Sequence, residues 1–148
     1  MGPRLLLRIS AVLMFIHALF HVLGHLKWKT LSSPSYDVVV KHMTERKFPF
    51  MGAEHSMGDY FDGYGYIIAI FIVLTGCLLW ALSDISMKYP LVGLQLLIPI
   101  TLFIILLTID VFIFFFPAAA IYSGLATVCC TMAIVKLNEI HHAKVKPH

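Results

Sequence analysis

The chain has 148 residues and a formal net charge of +3, and 59% of its residues are apolar whereas only 13% are charged. Its mean hydropathy of +0.87 is too high for an ordinary soluble domain and indicates an integral membrane protein. The positive charges form no basic run that could follow a phosphate backbone, which argues against nucleic acid as a partner.

Four segments are long and apolar enough to cross a bilayer as helices, which takes about 20 residues each. We expect these spans at residues 5–26, 64–83, 90–116 and 118–136. The last two belong to one apolar run that exceeds a single crossing, and Pro117 marks the hairpin between them. The predicted fold is all-α: a single membrane domain, residues 1–148, formed by a four-transmembrane-helix bundle.

The first predicted span carries histidines at four-residue intervals: His17, His21 and His25. Residues four apart on an α-helix share one face, so the imidazoles form a polar stripe in an otherwise apolar helix. Titratable groups in a bilayer are costly and face the protein interior or a water-filled cavity. The stripe is therefore the first candidate for a functional site.

The first loop is long for so small a protein and begins after an interfacial anchor, Lys27-Trp28-Lys29. Ser33 followed by Pro34 is typical of a helix start, and apolar residues then recur on one face. This pattern predicts a short amphipathic helix on the membrane surface or over the end of the bundle.

A second polar stretch leads into the second span. If it is already helical, His55, Asp59 and Asp62 fall at i, i+4 and i+7, on one face. Gly63 and Gly65 would let another backbone approach closely. The candidate ligand-binding residues are Glu54, Tyr60 and Asp62, together with His17 of the first span.

The third predicted span contains one ionisable group, Asp110. In an antiparallel bundle Asp110 and His21 belong to the same leaflet, each roughly 8 Å below the surface. We expect His25 and the carboxylates before the second span at the mouth of that cavity. The candidate catalytic residues are His55, Asp59 and Asp110.

Neutral imidazoles with carboxylates suit a transition metal such as zinc, iron or copper. His17 lies about 12 Å from His25 along the helix axis, too far for both to bind one ion. The preferred metal ligands are therefore His21 and His25 with Asp59 or His55, and Asp62 or Asp110 would serve as a further ligand or would hydrogen-bond to the ligands. Haem bound through His17 is a further option, although no second deep histidine occurs on another span.

Three functions fit these residues. The first is a metal-dependent membrane enzyme acting on a lipophilic or interfacial substrate. The second is a metal-free protein that binds or transports a small lipophile, or one that carries a metal ion, through protonatable His21, His25 and Asp110. The third is a non-catalytic homo-oligomeric subunit, since the fourth span has small residues at helical spacing. Membrane lipids are partners in all three.

The stretch Met51-Gly52 through His55-Ser56-Met57 and Asp59-Tyr60-Phe61 to Gly63-Tyr64-Gly65 resembles small uncharacterised bacterial four-helix membrane proteins, similar to the DoxX family in size and layout. The resemblance implies a four-helix layout and supplies no activity. We expect a bacterial inner membrane or another cellular membrane, with both termini cytoplasmic because the flank of the first helix often sets the orientation.

Overall fold

The computed structural model describes residues 1–30, 33–115 and 117–145. Within these ranges the elements are, in chain order, α1 (Pro3–Lys27), α2 (Pro34–Glu45), β1 (Lys47–Phe50), β2 (Ala53–Ser56), α3 (Met57–Lys88), α4 (Pro90–Phe114) and α5 (Pro117–Val145). Every helix except α3 begins with a proline. Proline suits the first turn of a helix because its missing N–H would have no partner there and its φ is already helical.

Four helices in the described part of the chain, α1, α3, α4 and α5, are long and apolar enough to cross a membrane. This confirms the predicted number of helices with the length and composition of membrane spans and indicates an integral membrane protein. The helices extend beyond the apolar runs, since α3 begins at Met57 and α5 continues to Val145. Backbone hydrogen bonds lie within a helix, so a polar segment can continue it past the point where the apolar run stops.

The chain divides into two compact units, Met1–Ala18 with Ile72–His148 and Leu19–Phe71. The first unit has an apolar core to which α1, α3, α4 and α5 contribute: Leu7, Met14, Leu79, Leu97, Ile104 and Leu137. Ser10 lies in this core and donates to the carbonyls of Leu6 (3.1 Å) and Ala126 (3.2 Å). The Cys130 thiol donates to the Ser10 hydroxyl at 3.4 Å, so this cysteine has a packing role.

A charged cluster joins α1 to the end of α3 in the same unit. Asp84 accepts from Arg4 at 2.6 Å and from Arg8 at 3.4 Å. The Arg8 guanidinium also donates to Ser83 at 3.3 Å and lies 5.2 Å from the centre of the Trp80 ring. The arginines and Asp84 are partly exposed, so we expect this cluster to stabilise the fold only weakly.

The second unit holds the end of α1, all of α2, the two strands and the start of α3. The predicted amphipathic helix is confirmed as α2, whose N-cap Ser33 accepts from the Tyr36 N–H at 3.3 Å. The Tyr36 hydroxyl donates to the Trp28 carbonyl at 2.6 Å, which attaches α2 to the end of α1.

A β-hairpin replaces the expected helical entry to the second span. The strands β1 and β2 are antiparallel, Phe50 pairs with Ala53, and the turn residues Met51 and Gly52 have φ of 49° and 86°. The assumption that His55 shares a helix face with Asp59 and Asp62 is therefore wrong. His55 lies in β2, where the backbone groups pair across the hairpin instead of along a helix.

Candidate functional site

Gly65 of α3 is the point where two of the predicted histidines meet a neighbouring helix. The His21 Nε2–H donates to the Gly65 carbonyl at 3.0 Å, which fixes the proton of a neutral ring on Nε2. The His25 ring packs directly on Gly65, and a Cβ at this position would overlap that ring. The two imidazoles are parallel, with centroids 6.2 Å apart. A residue without a side chain thus allows α1 to place both rings against α3.

Asp62 lies one turn before Gly65 on α3. Its carboxylate accepts hydrogen bonds from two side chains that directly follow α1. The Trp28 Nε1–H donates to its Oδ1 at 2.7 Å, and the Lys29 ammonium donates to its Oδ2 at 2.5 Å. His25 Nε2 approaches Oδ1 to 3.6 Å, beyond hydrogen-bonding distance. Both carboxylate oxygens therefore already have donors from the protein.

Aromatic rings surround His25, whose side chain is only 6% exposed. The ring centres of Phe61 and Tyr66 lie 5.6 Å and 5.1 Å away, and Trp28 contacts Phe61 edge-on at 4.8 Å. This packing excludes water from the imidazole and holds its position. We interpret His21, His25 and Asp62 as an interhelical clamp. His21 Nε2 and both Asp62 oxygens have protein partners, whereas His25 Nε2 is buried without a hydrogen bond among the described residues.

A capping box starts α3 and includes Asp59. The Ser56 hydroxyl accepts from the Asp59 N–H at 3.1 Å, and Asp59 Oδ2 accepts from the Ser56 N–H at 2.8 Å. These reciprocal bonds satisfy two N–H groups at the helix start. His55 Nδ1 lies 3.9 Å from the same Asp59 oxygen, so the candidate catalytic pair is close but not hydrogen-bonded.

Ser56→Ala should destabilise the second unit by about 1 kcal/mol, because it removes the side-chain acceptor of the capping box. Ser56 is buried, so water cannot replace the lost bond. Thermal unfolding in a mild detergent measures the change. Ser56→Thr keeps the hydroxyl and is the matched control; equal losses in the two variants would show that the cap contributes nothing.

A groove of about 350 Å³ runs along the start of α3 beside this capping box. Its lining residues come from β2 and from one face of α3: His55, Asp59, Tyr60, Gly63, Tyr64 and Ile67. Tyr60 is fixed from the hairpin side, since Phe48 stacks on it at 5.8 Å and Phe50 meets it edge-on at 6.2 Å. The groove has a polar end at His55 and Asp59 and an apolar end at Ile67.

No group of three or more His, Cys, Asp or Glu side chains is placed to hold a metal ion within residues 1–30, 33–115 and 117–145. The predicted ligands His21, His25 and Asp59 accordingly form no such group. The first donates to a backbone carbonyl, the second faces Asp62 within an aromatic shell, and the third caps a helix. A bound transition metal or haem stays a prediction of the sequence.

The other predicted site residues are not among those that line the groove. His17 is buried in α1 and Asp110 is exposed on α4, both in the first unit. Glu54 is exposed on β2, paired in register with Pro49. Of the candidate residues, the structure thus gathers His55, Asp59 and Tyr60 in one place and His21, His25 and Asp62 in another.

The predicted site residues did not include Trp28 and Lys29, which bond to Asp62, or Tyr64 and Ile67, which line the groove. The position of Trp28 and Lys29 after the first span predicts an interfacial anchor. No sequence pattern indicates that both side chains donate to Asp62. Ile67 is one apolar residue among many in α3. The capping box was readable, because Ser56 is followed three residues later by a carboxylate just before an apolar run.

Comparison with known proteins gives no match to this chain among family models, curated proteins or solved structures.

Proposed function

We propose that this protein binds a small amphiphilic molecule in the groove at the start of α3. The observation that carries the proposal is the groove itself, whose volume of about 350 Å³ lies within the range of small-molecule pockets. Such sites combine mostly apolar and aromatic walls with a few polar groups that orient the ligand. Here the walls are Tyr60, Tyr64 and Ile67, and the polar groups are His55 and Asp59.

The order of the lining residues along the chain supports an amphiphile over a fully apolar ligand. His55 and Asp59 are about half exposed and precede the long apolar part of α3, whereas Ile67 lies well inside it. A ligand with one polar end would meet the imidazole and carboxylate there and extend its apolar part past Tyr64 toward Ile67. The imidazole can donate or accept a hydrogen bond, and the carboxylate accepts.

The clamp at Gly65 supports a structural role for the histidines that the sequence marked first. His21 and the Asp62 oxygens already have partners within the protein, so they are less available to a ligand than the half-exposed groove residues. Among the three hypotheses we therefore favour a metal-free binding protein, with its ligand at His55, Asp59 and Tyr60.

A diazirine-bearing long-chain alcohol tests the proposal in proteoliposomes that contain the full chain. We expect photolabelling to concentrate on residues 60–67. Ile67→Trp fills the apolar end of the groove and should lower this labelling severalfold. Ile70→Trp is the matched control, because Ile70 is an exposed residue of the same helix that does not line the groove.

Two results would contradict the proposal. One is labelling spread evenly over the exposed residues of α3 and α4, as for a helix that only contacts bulk lipid. The other is an equal effect of Ile67→Trp and Ile70→Trp, which would separate the labelling from the groove.

A further inference from the structure

The turn of the β-hairpin exposes an apolar side chain where the backbone favours a polar residue or glycine. Met51 and Gly52 connect Phe50 to Ala53 and both have positive φ. Two-residue turns of this kind prefer Asn-Gly or Asp-Gly, because residues with short polar side chains and glycine tolerate that conformation. A methionine there costs roughly 1 kcal/mol of backbone strain.

Within the described part of the chain, the Met51 side chain buries almost no surface that could offset this cost. Met51 is 92% exposed, the highest value among the large apolar side chains of the described residues, and Phe50 beside it is 54% exposed. Two adjacent apolar residues at the tip of a hairpin are a feature of surfaces that enter another apolar phase.

The position of the hairpin on α3 indicates which phase that is. Phe48 and Phe50 pack on Tyr60, so the hairpin lies beside the first turn of α3. This helix has 32 residues and a length of about 48 Å, which exceeds a hydrocarbon core of about 30 Å. Its first turns therefore extend to the boundary, where the exposed Tyr64 and Tyr66 suit an aromatic belt.

Charge at the base of the hairpin fits the same surface. Arg46 directly precedes β1, Lys47 is the first residue of that strand, and both are exposed. Cations beside exposed apolar residues are typical of segments that insert their apolar side chains and bind anionic headgroups.

We propose that the hairpin tip inserts Phe50 and Met51 into the headgroup and acyl boundary of the bilayer, with Arg46 and Lys47 facing lipid phosphates. The lipid surface is then a second interaction site of the protein, independent of what the groove binds. The inserted tip lies next to Tyr60 and so keeps the groove in contact with the lipid phase.

A photoreactive residue at the tip tests this proposal in the full chain. Met51→benzoylphenylalanine is compared with Glu54→benzoylphenylalanine, a position on the same hairpin with a polar, exposed side chain. The vesicles contain phosphatidylcholine alone or mixed with phosphatidylglycerol. We expect severalfold more lipid adduct at position 51 than at position 54, and enrichment of phosphatidylglycerol over its bulk share. Arg46→Gln with Lys47→Gln should abolish that enrichment.

Equal lipid adducts at positions 51 and 54 would overturn the insertion of the tip. Crosslinks from position 51 mainly to a second copy of the chain would do the same and identify a protein contact instead. Unchanged phosphatidylglycerol enrichment in the glutamine variant would overturn the role of the two cations. Met51→Asn suits the turn and should remain folded. In this variant a nitroxide-labelled lipid should no longer quench fluorescence from a probe at the hairpin tip.

Discussion

Gly65→Ala is expected to lower the free energy of unfolding by about 1–3 kcal/mol, after a gain of about 1 kcal/mol from the higher helix propensity of alanine. The added Cβ would overlap the His25 ring, and overpacking of this kind costs about 1–3 kcal/mol. Phe61 and Tyr66 flank the imidazole, so it cannot turn aside without opening the aromatic shell. Movement of α1 away from α3 would also weaken the bond from His21 to the Gly65 carbonyl, for about 1 kcal/mol more.

Gly63→Ala is the matched control for this prediction. Nothing lies within 4 Å of a Cβ built at Gly63, and alanine favours a helix over glycine by about 1 kcal/mol. We therefore expect the control to be neutral or slightly stabilising in thermal or detergent-induced unfolding. A loss of similar size in both variants would show that glycine content, and not the contact with His25, limits the stability of α3.

The sequence predicted the helices well because their signal is long and redundant. Each span depends on some 20 residues, so single polar positions do not obscure it, and the prolines at Pro34, Pro90 and Pro117 locate three helix starts. The ends of α3 and α5 were less predictable, because hydropathy reports the apolar phase and not the hydrogen bonds that continue a helix beyond it.

The hairpin was not predictable from the same signals. Its strands have four residues each, too few to establish an alternating pattern, and Met51-Gly52 differs from the usual turn pairs. This error moved His55 onto a helix and thereby produced a single stripe of His55, Asp59 and Asp62. In the structure, Asp59 caps the helix and Asp62 meets α1.

The histidine stripe was predicted correctly as helical, but the partners of its residues were not. Periodicity gives the face and depth of His21 and His25, whereas their contacts depend on which residue of α3 permits a close approach. Gly65 permits it because it has no side chain. A glycine in a sequence does not indicate which residue will pack against it. The candidate site is therefore at His55, Asp59 and Tyr60 and not at the histidine stripe. These three residues were candidates from the sequence, but the groove that they line was not predicted.

Asp62→Ala is expected to cost about 2–3 kcal/mol of unfolding free energy. Trp28 is only 7% exposed, and its Nε1–H would lose the acceptor that lies 2.7 Å away. A buried donor left without a partner costs about 1–3 kcal/mol. The ion pair with the half-exposed Lys29 adds less than about 1 kcal/mol, because solvent screens it. Asp62→Asn keeps an acceptor oxygen for Trp28 and should lose about half as much.

A double-mutant cycle separates the hydrogen bond of Trp28 from the charge of Lys29. Trp28→Phe keeps an aromatic ring against Phe61 and removes the N–H, so in an Asp62→Ala background it should add little further loss. Lys29→Met should cost little in either background. If Lys29→Met instead reproduced the full loss of Asp62→Ala, the clamp would be held by charge, and the buried indole would not be the group that fixes α1 against α3.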